Sequence, residues 1–179
     1  MTGRTVLTLY SPDERDLAQL IDDTAAFALR TGLRIEDGAL PPPRVFRTAL
    51  TNMRSAPEWA ALTCMRLYLL DGAVVGSGGA KTAPDEAGEI EIGYGVASAY
   101  AGRGLGSEGA RQVVADAFAL GVRSIVASTL PTNEASWRLL TRLGFKRFGE
   151  IIDDDDGLLW CWRLAGAGAA LEAAEDWRA

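Results

Sequence analysis

The sequence predicts an α+β fold: a mixed, mostly antiparallel sheet of about six or seven strands, about four helices and one parallel βαβ step. Three observations carry that reading. Between residues 63 and 96, three apolar segments are separated only by Asp71-Gly72 and Pro84-Asp85-Glu86-Ala87-Gly88, which is the pattern of an antiparallel meander. From Leu105 to Leu120 the apolar residues change to helical spacing, and a short apolar strand follows, so a crossover joins two parallel strands there. Finally, Lys146–Ile152 and Leu158–Leu164 flank an aspartate-rich turn and read as a closing hairpin.

Taken in order, Thr5–Tyr10 alternates and reads as the first strand. Ser11-Pro12-Asp13 reads as an N-cap with proline at the first helical position. The helix it opens runs to about Arg30 and turns Leu17, Leu20, Ile21, Thr24, Ala25, Phe27 and Ala28 inward. Gly32–Pro43 is a loop closed by three prolines, and a second helix covers Arg44–Arg54. The meander strands are Thr63–Leu70, Ala73–Lys81 and Glu89–Val96. The middle one contains Gly76, Gly78 and Gly79 and is expected to be weak or bulged. Helix Leu105–Leu120 buries Ala110, Val113, Val114, Ala117 and Phe118, and Gly121 stops it. Ser124–Thr129 is a buried strand. Asn133–Leu143 is a helix with Leu139, Leu140 and Leu143 inward, closed by Gly144 in αL and Phe145 as its hydrophobic partner. The Ala/Gly/Glu-rich tail reads as a loose helix, giving a single domain over residues 1–165 and a tail over 166–179.

Composition narrows the chemistry. The 179 residues are 48% apolar, as expected of one soluble domain with a real core. No apolar run approaches the ~20 residues of a membrane span. The N-terminal residues lack the long apolar stretch of a signal peptide, so a cytoplasmic protein without membrane contact is expected. Histidine is absent, which excludes Ser-His-Asp and Cys-His catalysis and most zinc chemistry. A net charge of −6 argues against nucleic-acid binding and suits a cationic substrate such as an amine. Cys64 and Cys161 both fall in strand-like segments and read as buried free thiols. The four aspartates at 153–156 lack the ligand spacing of a calcium loop and read as a solvated hairpin tip, so no metal is expected. Trp59, Trp137, Trp160 and Trp162 read as core or rim packing.

The run Tyr100-Ala101-Gly102-Arg103-Gly104-Leu105-Gly106-Ser107 opens directly into a helix. Backbone N–H groups of such a turn can crowd around a phosphate at a helix N-terminus, where the helix dipole favours negative charge. Gly104-Leu105-Gly106-Ser107-Glu108-Gly109 formally matches a dinucleotide fingerprint, but the next strand ends Ala127-Ser128-Thr129-Leu130 without the acid that would hold a ribose. A P-loop needs Gly-Lys-Ser/Thr, and no lysine follows Gly106.

Residues Tyr100–Ser107 resemble the pyrophosphate-binding loop of the GNAT superfamily of acetyltransferases. Asn133-Glu134-Ala135-Ser136, Leu139-Leu140 and Leu143-Gly144-Phe145 are similar to that superfamily's Asn-x-x-Ser … Leu-Gly-Phe signature, and Glu89–Tyr94 to the strand before the loop. The set covers about Glu89–Phe148 and most resembles the branch containing the ribosomal-protein N-terminal acetyltransferases. The resemblance implies a GNAT-like fold and acetyl-CoA bound where strands Glu89–Val96 and Ser124–Thr129 splay. Cofactor contacts carry over to Ala101, Gly102, Arg103, Gly104, Leu105, Gly106 and Ser107, with Gly95 and Val96 offering N–H groups to the pantetheine or thioester oxygen. Two departures stand out: Ala101 occupies a position normally Gln or Arg, and Leu140 the position of a tyrosine that many members use as an acid. Arg103 is either a charge beside the loop or a solvated surface residue.

Acetyl transfer to an amine needs a neutral nucleophile, and amines titrate well above neutrality. Without histidine, the options are carboxylates, Tyr94 or a water relay. Glu89 and Glu91 share one face of their strand, and Glu91 lies nearer the glycine-flanked Tyr94. The resemblance makes Ser136 the candidate donor to the departing sulfur, and Asn133 either a bridge to the cofactor or a simple helix cap. The expected activity is N-acetylation of a small-molecule or peptide amine by a monomer or homodimer. A non-catalytic acyl-CoA-binding sensor or scaffold is the alternative, and a structural protein that has lost the cofactor is a third.

Overall fold

The computed structural model describes residues 6–166, so the start of the expected first strand and the tail beyond Gly166 lie outside the described residues. The elements run β1 (Thr8–Tyr10), α1 (Glu14–Asp22), α2 (Thr24–Thr31), β2 (Arg34–Ile35), α3 (Pro43–Ser55), α4 (Ala60–Thr63), β3 (Arg66–Leu70), β4 (Ala73–Ala80), β5 (Glu89–Val96), α5 (Leu105–Ala119), β6 (Ser124–Thr129), α6 (Glu134–Arg142), β7 (Lys146–Asp153) and β8 (Gly157–Ala165), with 3₁₀ turns at Pro57–Trp59 and Ser98–Tyr100. They form two compact units, one up to Ala83 together with Gly93–Val113, the other Pro84–Ile92 together with the residues from Val114 onward. Strand β5 and helix α5 contribute to both.

In the first unit the strands lie in the order β1-β3-β4-β5, with β1 and β4 antiparallel to β3. In the second the order is β5-β6-β8-β7; β5 is parallel to β6, and the two following pairs are antiparallel. The parallel ladder runs only from Glu89↔Ser124 to Glu91↔Val126. A mixed, mostly antiparallel sheet with one βαβ step is therefore the fold class, as expected. The described residues hold eight strands and six α-helices, each slightly more than expected.

The extra elements have local causes. Asp13, not Ser11, caps α1: its carboxylate accepts the Asp16 N–H at 2.7 Å, while the Asp16 carboxylate accepts the Asp13 N–H at 3.1 Å. Pro12 thus precedes the cap instead of starting the helix. The helix expected to reach Arg30 breaks at Asp23. That residue's N–H closes α1 on the Gln19 carbonyl at 2.8 Å, and its side chain opens α2 by accepting the Ala26 N–H at 3.0 Å. An aspartate competing for backbone N–H groups is a helix boundary even inside an apolar period. The third meander strand matches its expected bounds, but the first begins at Arg66 because residues 57–63 are helical. The Arg66 guanidinium donates to the Ala61 carbonyl at 2.9 and 2.7 Å and ties that turn to the strand. Cys64 accordingly caps α4 and lies outside β3; both cysteines are free and buried. Strand β2 pairs in parallel with the start of β4 at Arg34↔Ala73 and Ile35↔Val74 inside the expected loop.

Strand β4 is not weak: all eight of its residues are buried. Its register slips between Tyr68↔Gly76 and Leu69↔Val74, which leaves Val75 as the extra residue of a bulge. Gly78 of this strand and Gly109 of α5 make room for Tyr68 instead. A Cβ at Gly78 would lie 2.0 Å from the Tyr68 Oη, and one at Gly109 would lie 2.3 Å from its Cζ. The ring is wholly buried between β4 and α5 and leads a cluster with Leu7, Leu70, Ala73 and Val75. A second cluster in the same unit packs Leu17, Leu20 and Phe27 against Phe46, Met65, Leu67 and Val74.

Candidate functional site

The glycine turn ends in the first unit at the start of α5. Gly102 and Gly104 have φ of +75° and +78°, and nothing lies within 4 Å of a Cβ at either position. The left-handed backbone, not crowding, requires glycine here. The Gly104 carbonyl accepts the Glu108 N–H at 3.0 Å, so helical bonding starts there and the N–H groups of Leu105, Gly106 and Ser107 have no partner within the helix. Positive φ, open space and clustered N–H groups make a cradle that fits a phosphate. Tyr100 and Leu105 pack on the Tyr68 cluster together with Val96, so the end of β5 and the loop rest on one support.

Ala101 is exposed, and its N–H closes the preceding turn on the Ser98 carbonyl at 3.1 Å. Arg103 is exposed too, but its guanidinium carbon lies 5.0 Å from the centroid of the Tyr100 ring. The arginine is therefore held across the turn by a cation–π contact.

The same unit contains a cavity of about 560 Å³. Its walls are the loop Gly38–Pro41, the face of α3 carrying Arg44, Val45, Thr48 and Ala49, the end of β4 with Lys81, Thr63 and Met65, and Gly93–Val96 of β5. Three expected residues, Tyr94, Gly95 and Val96, thus come together on a real cavity. Behind this wall the Tyr68 hydroxyl is buried with no hydrogen-bond partner among the described residues, and burial pushes its pKa up. Burial likewise raises the Cys64 thiol, which disfavours a thiolate nucleophile there.

Glu91, Asn133 and Ser136 belong to the second unit. Glu89 is occupied: its carboxylate accepts from the Ser124 hydroxyl at 2.6 Å and pairs with Arg163 at 2.8 Å. Glu91 is half-buried on the same face, at the last rung of the parallel ladder, and has an interaction of its own. Asn133 caps α6 by accepting the Ser136 N–H at 3.1 Å. Leu140 is fully buried core. Gly144 at φ +92° and the 3.0 Å bond from the Phe145 N–H to the Leu140 carbonyl close the helix as expected. At the hairpin tip, Asp153 accepts the N–H groups of Asp155 and Asp156, which matches a self-capped turn. Trp162 is buried and donates to the Thr129 hydroxyl at 2.9 Å; Trp160 stacks under Arg147.

Sequence reasoning missed the cavity and with it Arg44, Thr48 and Lys81. No local signal marks them, because the wall is assembled from segments separated by dozens of residues. The unusual density of glycine in β4 was the one available pointer to a tightly packed support.

Residues 6–146 match the family model described as the acetyltransferase (GNAT) domain. Solved structures of similar fold include RimJ of Mycobacterium smegmatis in complex with CoA-disulfide, with 20% identity, 95% of this chain and 90% of that one covered, and a TM-score of 0.61. The ribosomal-protein-S5-alanine acetyltransferase of Vibrio fischeri is similar at 14% identity, 90% and 93% coverage and a TM-score of 0.64. YncA of Salmonella typhimurium, a protein determined with acetyl-CoA, matches at 19% identity, 90% and 94% coverage and a TM-score of 0.62.

Proposed function

Because the chain belongs to the GNAT acetyltransferase family, we propose that it transfers an acetyl group from acetyl-CoA to a primary amine held in the cavity beside Tyr94–Val96. The observation that carries this reading is the pairing, in one unit, of an open glycine turn at a helix N-terminus with a cavity walled by the end of β5. Two of the similar proteins, RimJ and YncA, were determined with CoA-disulfide and with acetyl-CoA, which supports the same ligand here. Residues 1–165 are read as one catalytic domain.

The co-substrate supplies an acetyl group activated as a thioester. In this reading the N–H groups of residues 102–107 hold the pyrophosphate, with the helix dipole favouring its charge. Ala101 offers no side chain to the ligand, and Arg103 stacked on Tyr100 stiffens the turn instead. The N–H groups of Gly95 and Val96 face the carbonyl oxygen as negative charge develops on it, worth about 3 kcal/mol for a well-placed donor. Glu91, two residues before Gly93 on the same strand, takes the amine proton through water, since no carboxylate among the described residues lines the cavity and Glu89 is tied to Arg163 and Ser124. The amine lone pair forms the C–N bond, the C–S bond breaks, and coenzyme A leaves as its thiolate. Tyr94 orients the amine. The test is release of CoA thiol with a panel of amines: Glu91→Gln is expected to lose about a hundredfold in turnover while acetyl-CoA still raises the melting midpoint. Unchanged turnover would remove Glu91 from the base role.

A further inference from the structure

The cavity's charges are one-sided. Among the described residues Arg44 and Lys81 are the charged side chains on its wall, and no carboxylate lines it. This reverses the whole-chain balance of −6, which by itself suits a cationic ligand. Arg44 occupies the second position of α3, whose first turn contains no acidic residue. Among the described residues none pairs with its guanidinium, whereas Lys81 has a further interaction. The two threonine hydroxyls on the wall are turned to their own helices: Thr48 donates to the Arg44 carbonyl at 3.1 Å and Thr63 to the Trp59 carbonyl at 3.2 Å. The remaining surface is largely apolar, with Val45, Ala49, Met65 and Ala80.

An ammonium group alone gains nothing from such a wall, since both fixed charges repel it. A ligand with a carboxylate does gain, because a guanidinium binds a carboxylate through parallel charge-assisted hydrogen bonds. Resting on the acetyltransferase reading above, we propose that the acceptor is a primary amine that also carries a carboxylate, which Arg44 holds at the cavity mouth while an apolar body fills the space between. The attraction places the acceptor's anionic end at α3 and leaves its amine for the Tyr94–Val96 wall. Arg44 is then a specificity-determining residue and has no part in proton transfer. Free amino acids with apolar side chains and peptides with an acidic residue near the N-terminus share this chemistry.

The experiment compares kcat/KM for acceptors in matched pairs: apolar amino acids against their amides, and short peptides with Asp or Glu against the same peptides with Asn or Gln. The full chain is used, and acetyl-CoA binding is followed in parallel by thermal shift. Carboxylate forms are expected to exceed their amides by at least about tenfold. In Arg44→Gln that ratio collapses toward one, and Arg44→Lys restores part of it; the acetyl-CoA shift stays as in the parent. Preference among amino acids identifies a small metabolite as acceptor, and preference confined to peptides identifies a protein N-terminus. A ratio near one in the parent, a ratio that survives Arg44→Gln, or acetylation confined to amines without a carboxylate each overturns the proposal. Absence of any acetyl-CoA shift, or a shift with no amine acetylated at all, instead overturns the acetyltransferase reading beneath it.

Discussion

Gly104 holds φ +78° with open space where a Cβ would point, so a substitution there acts through backbone strain and not through a clash. Gly104→Ala is expected to cost about 1 kcal/mol of stability and to weaken acetyl-CoA binding about tenfold, read by urea unfolding and by titration calorimetry. Tyr68 makes the opposite case. Its hydroxyl is buried and without a partner among the described residues, so Tyr68→Phe removes a desolvated group without emptying the site. That variant is expected to be neutral or up to about 2 kcal/mol more stable, whereas Gly78→Ala destabilises by about 2–3 kcal/mol because its Cβ would meet the same hydroxyl. The double variant should recover part of the loss. At this scale the glycine turn, the Asn133 cap and the Gly144 helix end were legible because each is written in a short run of the chain. Arg44 was not, since only folding brings α3 beside β5.

At the scale of elements, the first helical pair is held by a charge network around one buried carboxylate that no periodicity reveals. Asp16 is buried, accepts from the Tyr10 hydroxyl at 2.7 Å and pairs with Arg30 of α2. Burial alone would raise the Asp16 carboxyl, but the hydrogen bonds from Arg30 and Tyr10 outweigh it and hold the group below the usual carboxylate range. Burial, reinforced by Asp16, pushes Tyr10 up to about 12. Because the Asp16 pKa is lowered on folding, its stabilisation is present above the unfolded value of about 3.9 and is lost as pH falls through the folded value. Asp16→Asn should therefore cost about 1–3 kcal/mol at pH 7, and the difference from the parent should shrink near pH 3. Denaturation at both pH values checks this; an equal difference at both contradicts it. Long elements with strong periods, β5, β6 and α5, were placed to within a residue from the chain alone. The two-residue β2 and four-residue α4 were not, because pairing with distant β4 and the Arg66 clamp, not propensity, create them.

For the molecule as a whole, family membership was legible because three motifs kept their order and spacing, and the family model runs through residues of both units. The cavity was not legible, since its wall is drawn from five separate segments. In the proposed reading chemistry joins the open N–H cradle and the cavity, the first taking a pyrophosphate and the second an amine. The direct measurement is the initial rate of CoA thiol release from acetyl-CoA across an amine panel, with mass spectrometry of the acceptors. Amine-dependent release, saturable in acetyl-CoA and matched mole for mole by acetylated amine, is the expected result. Acetyl-CoA binding that stabilises the chain by about 2.7 kcal/mol at a hundredfold excess over Kd, with no amine-dependent release, would contradict transfer and leave a CoA-binding module.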